Sequence, residues 1–418
     1  MTNVVNFTEP VRTDAFDVEA IRRDFPALSL AVNGKPLVFL DSAASAQKPR
    51  AVIDAMTRAY ESQYANVHRG TYHLSQLATE NYENARAKVA QFMNATSPDE
   101  IVFTHSATGA FNLVAHSFGS LLEEGDEIIV SVMEHHANIV PWQLLRDRTG
   151  IEIKVAPIDD AGNFLIDEFE KLLGPKTKLV AVTHVSNVLG TVTPVKEIVR
   201  LAHGNGTPVL FDGAQGIVHE GVDVQDLDCD FYVWTGHKLY GPTGIGVLWG
   251  KPEWLERMPP FEGGGDMISL VTFEKTTYRE PPARFEAGTP PIVEAVGLAA
   301  AIDYVTAVGL DRIAAHEKEL LDYAMLRLAG MDGLRIIGRA QQKAGIVSFE
   351  FGDVHAHDVA TIIDSAGVAV RAGHHCAQPL MERFGVTSTS RASFGMYTTR
   401  AEVDALAVAL EKVREIFG

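Results

Sequence analysis

Phe231-Tyr232-Val233-Trp234-Thr235-Gly236-His237-Lys238 opens on four apolar residues and closes on a lysine. The apolar run predicts a buried strand, and Leu239-Tyr240-Gly241-Pro242-Thr243-Gly244 predicts the glycine turn after it. Lysines ordinarily stay in water, and a buried one gives up its proton more readily. The free amine is then a nucleophile toward an aldehyde. The bland alternative is a strand-terminal surface lysine. Upstream, Pro208-Val209-Leu210-Phe211 leads to Asp212-Gly213-Ala214-Gln215. An Asp at a strand end is the partner a pyridinium nitrogen needs, and Gln215 is placed to donate to the ring's phenolic oxygen. Lys238 and Asp212 together predict pyridoxal 5'-phosphate (PLP) as cofactor.

The chain has 418 residues, which favours two domains, one of them large. Its hydrophobic share of 46% and charged share of 22% are those of an ordinary globular protein. A net charge of -18 speaks against a nucleic-acid surface. No apolar stretch reaches the ~18 residues of a membrane helix, and Met1 to Asp17 has no secretory n- or h-region. The expectation is a cytoplasmic protein with neither membrane nor nucleic-acid partners. Two cysteines, Cys229 and Cys376, exclude a disulfide framework and fit a reducing compartment.

Asp17 to Phe25 reads as a short capped helix, and Pro36-Leu37-Val38-Phe39-Leu40 as a strand leading to Asp41. Apolar runs at 101–104, 127–131, 151–157, 179–185, 209–212, 231–234 and 246–249 read as strands. Helical patterns at 50–64, 75–93, 108–121, 138–147, 166–173 and 195–204 lie between most of them. Such alternation predicts an α/β fold with a mainly parallel sheet covered on both faces. After about 292 a long helical run at 293–329 precedes strands at 334–337 and 345–350, a helix at 357–366, a strand at 367–371 and a final helix at 400–416. This reads as a smaller α+β unit. The Pro/Gly-rich stretch 259–290 reads as a long loop region.

Several further segments carry chemistry. Thr104-His105-Ser106-Ala107-Thr108-Gly109-Ala110 is a small-residue turn into a helix, where backbone N–H groups favour phosphate; capping by Ser106 or Thr108 uses the same donors. Thr235, His237 and the glycines after Lys238 are candidates for further phosphate contacts. In Met133-Glu134-His135-His136-Ala137-Asn138, His135 follows a strand end, where an imidazole can stack on a pyridine ring and carry protons. Zinc ligation by the adjacent histidines is disfavoured, since neighbours on a strand face opposite ways. Arg371-Ala372-Gly373-His374-His375-Cys376-Ala377 sets Cys376 in a glycine loop near positive groups, the surroundings of a nucleophilic thiol. Cys229, between Asp228 and Asp230, reads as a small buried hydrophobe. Arg391 in Thr389-Ser390-Arg391-Ala392-Ser393 can clamp a carboxylate with a bidentate fork, or lie on the surface.

Taken with Leu40-Asp41-Ser42-Ala43-Ala44-Ser45-Ala46-Gln47-Lys48-Pro49, Val67-His68-Arg69-Gly70, Thr183-His184-Val185-Ser186-Asn187-Val188-Leu189-Gly190 and Arg284-Phe285-Glu286-Ala287-Gly288-Thr289-Pro290, these motifs make the chain resemble the group II (SufS-type) cysteine desulfurases. The resemblance runs from about Asp24 to the C-terminus. It implies a fold type I PLP-dependent transferase, with residues 1–34 packing on the small domain, 35–292 forming the large PLP-binding domain and 293–418 the small α+β domain with the cysteine loop. It further implies that Lys238 binds PLP and removes a proton, that Cys376 carries a persulfide, and that L-cysteine becomes L-alanine for iron-sulfur cluster assembly. His135 stacks on the ring, Asp212 and Gln215 hold it, and Ala107, Thr108, Thr235 and His237 meet the phosphate. Thr289 reaches the phosphate from the other subunit of a homodimer. Asn187, Arg371 and Arg391 form the substrate pocket, and His68 lies near the site across the subunit boundary.

The family commonly has Arg-Gly-Thr-Thr-Glu at the phosphate turn, whereas this chain has His105-Ser106-Ala107-Thr108-Gly109, one hydroxyl and one acid fewer. His357 resembles a position linked to SufU-like zinc scaffolds as sulfur acceptors; SufE-like acceptors are the alternative, and a surface histidine the bland reading. Selenocysteine lyase or cysteine sulfinate desulfinase activity is the rival within the same pocket.

Overall fold

The structure, a computed structural model, describes residues 16–417. The expectation for residues 1–15 lies outside the described residues.

Seven strands form the main sheet, in the spatial order Ile101–Thr104, Gly246–Gly250, Phe231–Thr235, Val209–Asp212, Thr177–Thr183, Glu127–Ser131 and Glu152–Ala156. Gly246–Gly250 is antiparallel to both of its neighbours, and all other pairs are parallel. The other six strands therefore end along one edge, where open α/β sheets bind ligands. Alternate residues feed two cores. Phe211, Tyr232 and Trp234 pack on one face, and Leu210, Phe231 and Val233 on the other. Both faces are covered, which is why these strands read as unbroken apolar runs.

The C-terminal sheet runs Leu334–Ile337, Ile346–Phe351, Thr389–Ser393 and Arg371–Gly373, all antiparallel. Leu320, Phe349, Ile363 and Leu406 belong to one core between this sheet and helices Leu310–Ala329, Ala356–Asp364 and Arg400–Phe417. The expected single helical run at 293–329 is two helices, Ile292–Val308 and Leu310–Ala329, bent by 74° at a break. Gly309 at that break has φ +96°, a conformation that a side chain would resist.

Asp17 caps Val18–Arg23 by accepting the Ala20 N–H at 3.0 Å. Arg22 then donates to the Tyr397 carbonyl at 2.5 Å and to Glu402 at 2.8 Å. Phe25 meets Tyr240, Tyr304 and Tyr397 edge-on. Of the run at 36–40, Lys35–Pro36 pairs with Ala31–Val32, while Val38–Phe39 pairs in parallel with Val368–Ala369. Residues just past 34 thus bond to the C-terminal region as well.

One reading of local structure needs correction, and one strand carried no expectation. The stretch 259–290 contains a hairpin, Ile268–Val271 with Thr276–Tyr278. Thr389–Ser393 is a fully buried central strand, although its composition is polar. Among the described residues, no single helix is long and apolar enough to cross a membrane.

Candidate active site

A cavity of about 820 Å³ opens at the common strand edge. Lys238, Asp212, Gln215, Thr235 and His237 line it from the central strands; Ala107 and Thr108 from the helix after Ile101–Thr104; His135 and Asn187 from two more strand ends; Arg371, Cys376, Arg391 and His357 from the C-terminal unit. His68 and Thr289 do not line it. His68 is exposed, with Nε2 2.8 Å from Glu83, and Thr289 is exposed on its loop.

Lys238 follows Phe231–Thr235 in a short 3-10 turn, Gly236–Lys238. The carbonyl of His237, in the peptide that leads into Lys238, accepts from the Ala46 N–H at 3.1 Å, the Ser45 hydroxyl at 3.4 Å and the Lys48 ammonium at 2.9 Å. Burial lowers Lys238 to a pKa of about 8, against the attraction of Asp212. Asp212 is itself raised by burial, opposed by Lys238 and by the Ala214 N–H that it accepts at 3.0 Å. A buried carboxylate with a single hydrogen bond calls for a cationic partner.

His135 accepts the Ala137 N–H on Nδ1 at 3.0 Å. Burial, then the charge of Lys238, pushes its pKa down to about 3, so the ring is neutral. The adjacent Glu134 is fully buried and accepts from Ser131, Asn138 and the Thr183 N–H, tying two strand ends together. Ser106 caps the helix Ala107–Ser117 through the Gly109 N–H at 3.1 Å. Ala107 and Thr108 occupy its first turn, where N–H groups lack intrahelical acceptors. Gln215 donates to the Ala43 carbonyl at 2.7 Å.

The cysteine loop is pinned from both sides. The Asn187 amide donates to the His375 carbonyl at 2.7 Å, and the His136 N–H to the Cys376 carbonyl at 2.6 Å. His375 and Cys376 both have positive φ, +53° and +55°, which is costly for residues with a Cβ. The thiol bearer is exposed. Cys229, by contrast, is buried, and its pKa is raised by burial and then by Asp230.

Arg391, 2% exposed, donates to the Asn187 carbonyl at 2.8 Å and to Asp41 at 3.2 Å, while its Nε has no partner. Asp41 also pairs with Arg371. Asp41 lies in the motif that follows Val38–Phe39 and carried no expected role; its one signal in the sequence is an acid at a strand end. Three features of this cavity fit PLP: a depressed amine, a buried carboxylate across from it, and a helix N-terminus for the phosphate.

The profile of the aminotransferase class-V family matches residues 38–406. A probable cysteine desulfurase of Mycolicibacterium paratuberculosis is 52% identical over 96% of this chain, which spans 59% of that longer protein. A probable cysteine desulfurase of Halalkalibacterium halodurans is 52% identical over 95% of this chain and 98% of its own length. Among solved structures, the cysteine desulfurase CsdA of Escherichia coli, in an S-sulfonic acid form, superposes with a TM-score of 0.90 at 41% identity, covering 96% of this chain and all of that one. The chain therefore belongs to the aminotransferase class-V family.

Proposed function

We propose that the protein is a PLP-dependent cysteine desulfurase that converts L-cysteine to L-alanine and leaves the sulfur as a persulfide on Cys376. The observation that carries this reading is that Lys238 and Cys376, brought from different sheets, open onto one cavity. Lys238 would hold PLP, whose electron-withdrawing ring would supply a sink for negative charge at the substrate's Cα. Asp212 would keep the ring nitrogen protonated, and the neutral imidazole of His135 would pack on the ring. The first turn at Ala107 and Thr108, with Thr235 and His237, receives the phosphate. The spare donors of Arg391 hold the α-carboxylate, with Asn187 and Arg371 beside it. Lys238, once its amine is free, takes the Cα proton. The Cys376 thiolate attacks the substrate sulfur, the carbon–sulfur bond breaks with its electron pair left on the carbon skeleton, and that skeleton takes one proton at Cβ and regains one at Cα to become alanine, leaving Cys376 as the persulfide.

The exposed loop of Cys376 suits handover to a sulfur-acceptor protein for iron-sulfur cluster assembly. His357 is exposed and lines the cavity, and its resemblance to the position linked to SufU-like zinc scaffolds makes such an acceptor the one to test, with a SufE-like acceptor as the alternative. Binding to such a scaffold is expected to be lost in His357→Ala. Exposed Tyr60, Tyr64 and Tyr72, and a Thr289 that lies outside its own cavity, support a homodimer.

The test compares Cys376→Ala and Lys238→Ala with the parent. Both variants are expected to lose alanine production from L-cysteine, and only the Lys238 variant should lose the visible absorbance of bound cofactor. Undiminished alanine and sulfide release from Cys376→Ala without added thiol would remove the persulfide step.

A further inference from the structure

Cys376 sits in a loop whose left-handed backbone, φ +53° at His375 and +55° at Cys376, has to be held by its surroundings. Two residues from loops that follow main-sheet strands hold it. The Asn187 amide takes the His375 carbonyl. His136 takes two groups, one on each side of the thiol bearer. Its N–H donates to the Cys376 carbonyl at 2.6 Å, and its imidazole Nε2 accepts the Gln378 N–H at 3.1 Å.

The second of these bonds is a helix cap supplied by a distant part of the chain. Gln378 opens the helix Gln378–Arg383, and the N-cap residue Ala377 offers no side-chain acceptor. The first N–H groups of a helix have no intrahelical partner. Here Pro379 has no N–H at all, and the Leu380 N–H already reaches the Ala377 carbonyl at 3.1 Å. The Gln378 N–H is the group left over, and His136 receives it. An imidazole nitrogen accepts only while it carries no proton, so the cap belongs to neutral His136 with its proton on Nδ1. Burial, then the charge of His374, holds His136 below the ordinary histidine value of 6.5. The gripped loop faces it with His374 and Cys376, and its own turn with His135, the His135 and His136 ring centroids being 6.4 Å apart. Cys376 lines the cavity together with Lys238.

We propose that His136 is a positioning residue: its neutral imidazole caps the helix behind Cys376 and so keeps the thiol at the cavity, and protonating it loosens that hold. The inference rests on the reading of Cys376 as the group that takes the substrate's sulfur.

The experiment uses holoenzyme of the parent, His136→Gln and His136→Phe. Gln keeps an acceptor that does not titrate, and Phe keeps a ring without one. Two rates are compared in each protein. Alanine formation from L-cysteine in the first turnover needs Cys376. Exchange of the Cα hydrogen of L-alanine in D2O needs Lys238 and bound PLP but no thiol. At about pH 7.5 the ratio of the first rate to the second should fall about fivefold in the Phe variant, the worth of one helix cap, and stay at the parent value in the Gln variant. Acid protonates the thiol in parent and Gln variant alike, so the parent ratio divided by the Gln ratio isolates His136. That quotient should be constant above about pH 7 and fall below 6.5. A charge on His136 that acted only by favouring the thiolate would raise it instead. Deuterium uptake by the peptide 374–383 should rise in the Phe variant and not in the Gln variant. A Phe variant at the parent ratio overturns the proposal, as does a quotient that stays flat or rises toward acid. A parent that makes no alanine from L-cysteine overturns the desulfurase reading instead; deuterium uptake then judges the cap by itself, and unchanged uptake in the Phe variant overturns it.

Discussion

Two influences meet on Lys238. Burial disfavours its charge, nearby Asp212 favours it, and burial wins, leaving a pKa of about 8 against an ordinary 10.5. Below about pH 8 the amine is charged in the folded and unfolded chain alike, and the fold carries the full cost of holding it. Between there and 10.5 the unfolded chain binds a proton that the folded one has released, so stability rises with pH across that window. Lys238→Met removes the cost. The cofactor-free variant is expected to be more stable than the cofactor-free parent by about 1–3 kcal/mol at pH 7, with the gap closing toward pH 10.5. Urea unfolding at both pH values checks this, and a pH-independent gap would deny that the amine is the source. Lys238 stood out in the sequence because a lysine closes an apolar run. Asp41 did not, since nothing in its neighbours shows that Arg371 and Arg391, some 330 and 350 residues on, converge on it.

At the scale of elements, the turn that holds Ala107 and Thr108 depends on a strand from elsewhere. A Cβ on Gly246 would lie 2.2 Å from the Ser106 carbonyl carbon and 2.7 Å from the Ala107 nitrogen. Both are backbone atoms and cannot swing aside as a side chain can. Gly246→Ala should therefore displace the helix start and cost about 1–3 kcal/mol of stability, as overpacking does. It should also weaken PLP binding, read by titrating the visible absorbance. Normal PLP affinity alongside lowered stability would separate the turn from phosphate binding. The same elements show what a sequence reveals. The strands Glu127–Ser131, Val209–Asp212, Phe231–Thr235 and Gly246–Gly250 were legible because both of their faces are buried and their runs are mostly apolar, whereas the edge strand Glu152–Ala156 has Glu152 and Val155 exposed. Thr389–Ser393 was not legible, because its side chains are polar, and hydrogen bonds satisfy most of their buried atoms, Arg391 Nε excepted. Thr389 faces His375, Ser390 donates to the Ala356 carbonyl, and Arg391 donates to Asn187. The hairpin at 268–278 was hidden for the opposite reason: its outer residues Leu270, Val271 and Phe273 are exposed, so no alternation marks a buried face. The bend at Gly309 carried a glycine signal that the helical run on both sides masked.

At the scale of the molecule, the segment that carries Thr289 is anchored firmly yet ends outside its own cavity. Glu286 accepts both Arg86 Nη atoms, at 2.6 and 2.8 Å, and the Phe103 N–H at 2.7 Å, which fixes the loop to a buried guanidinium. Three residues on, Thr289 is exposed. A threonine so presented can serve a second copy of the chain. The expected contact across a two-fold interface has a consequence that mixing can read. Thr289→Val should weaken PLP retention about tenfold by removing one hydrogen bond to a charged group, and Lys238→Met should abolish activity. In a dimer of one chain of each kind, the site built on the intact Lys238 of the first receives the intact Thr289 of the second. That site is whole, and the other lacks both residues. Random remixing puts such pairs in about half of the dimers, so about a quarter of parental activity should return at limiting PLP. If Thr289 serves its own chain, every site in the mixed dimer lacks one group, and remixing restores nothing beyond the sum of the two parents.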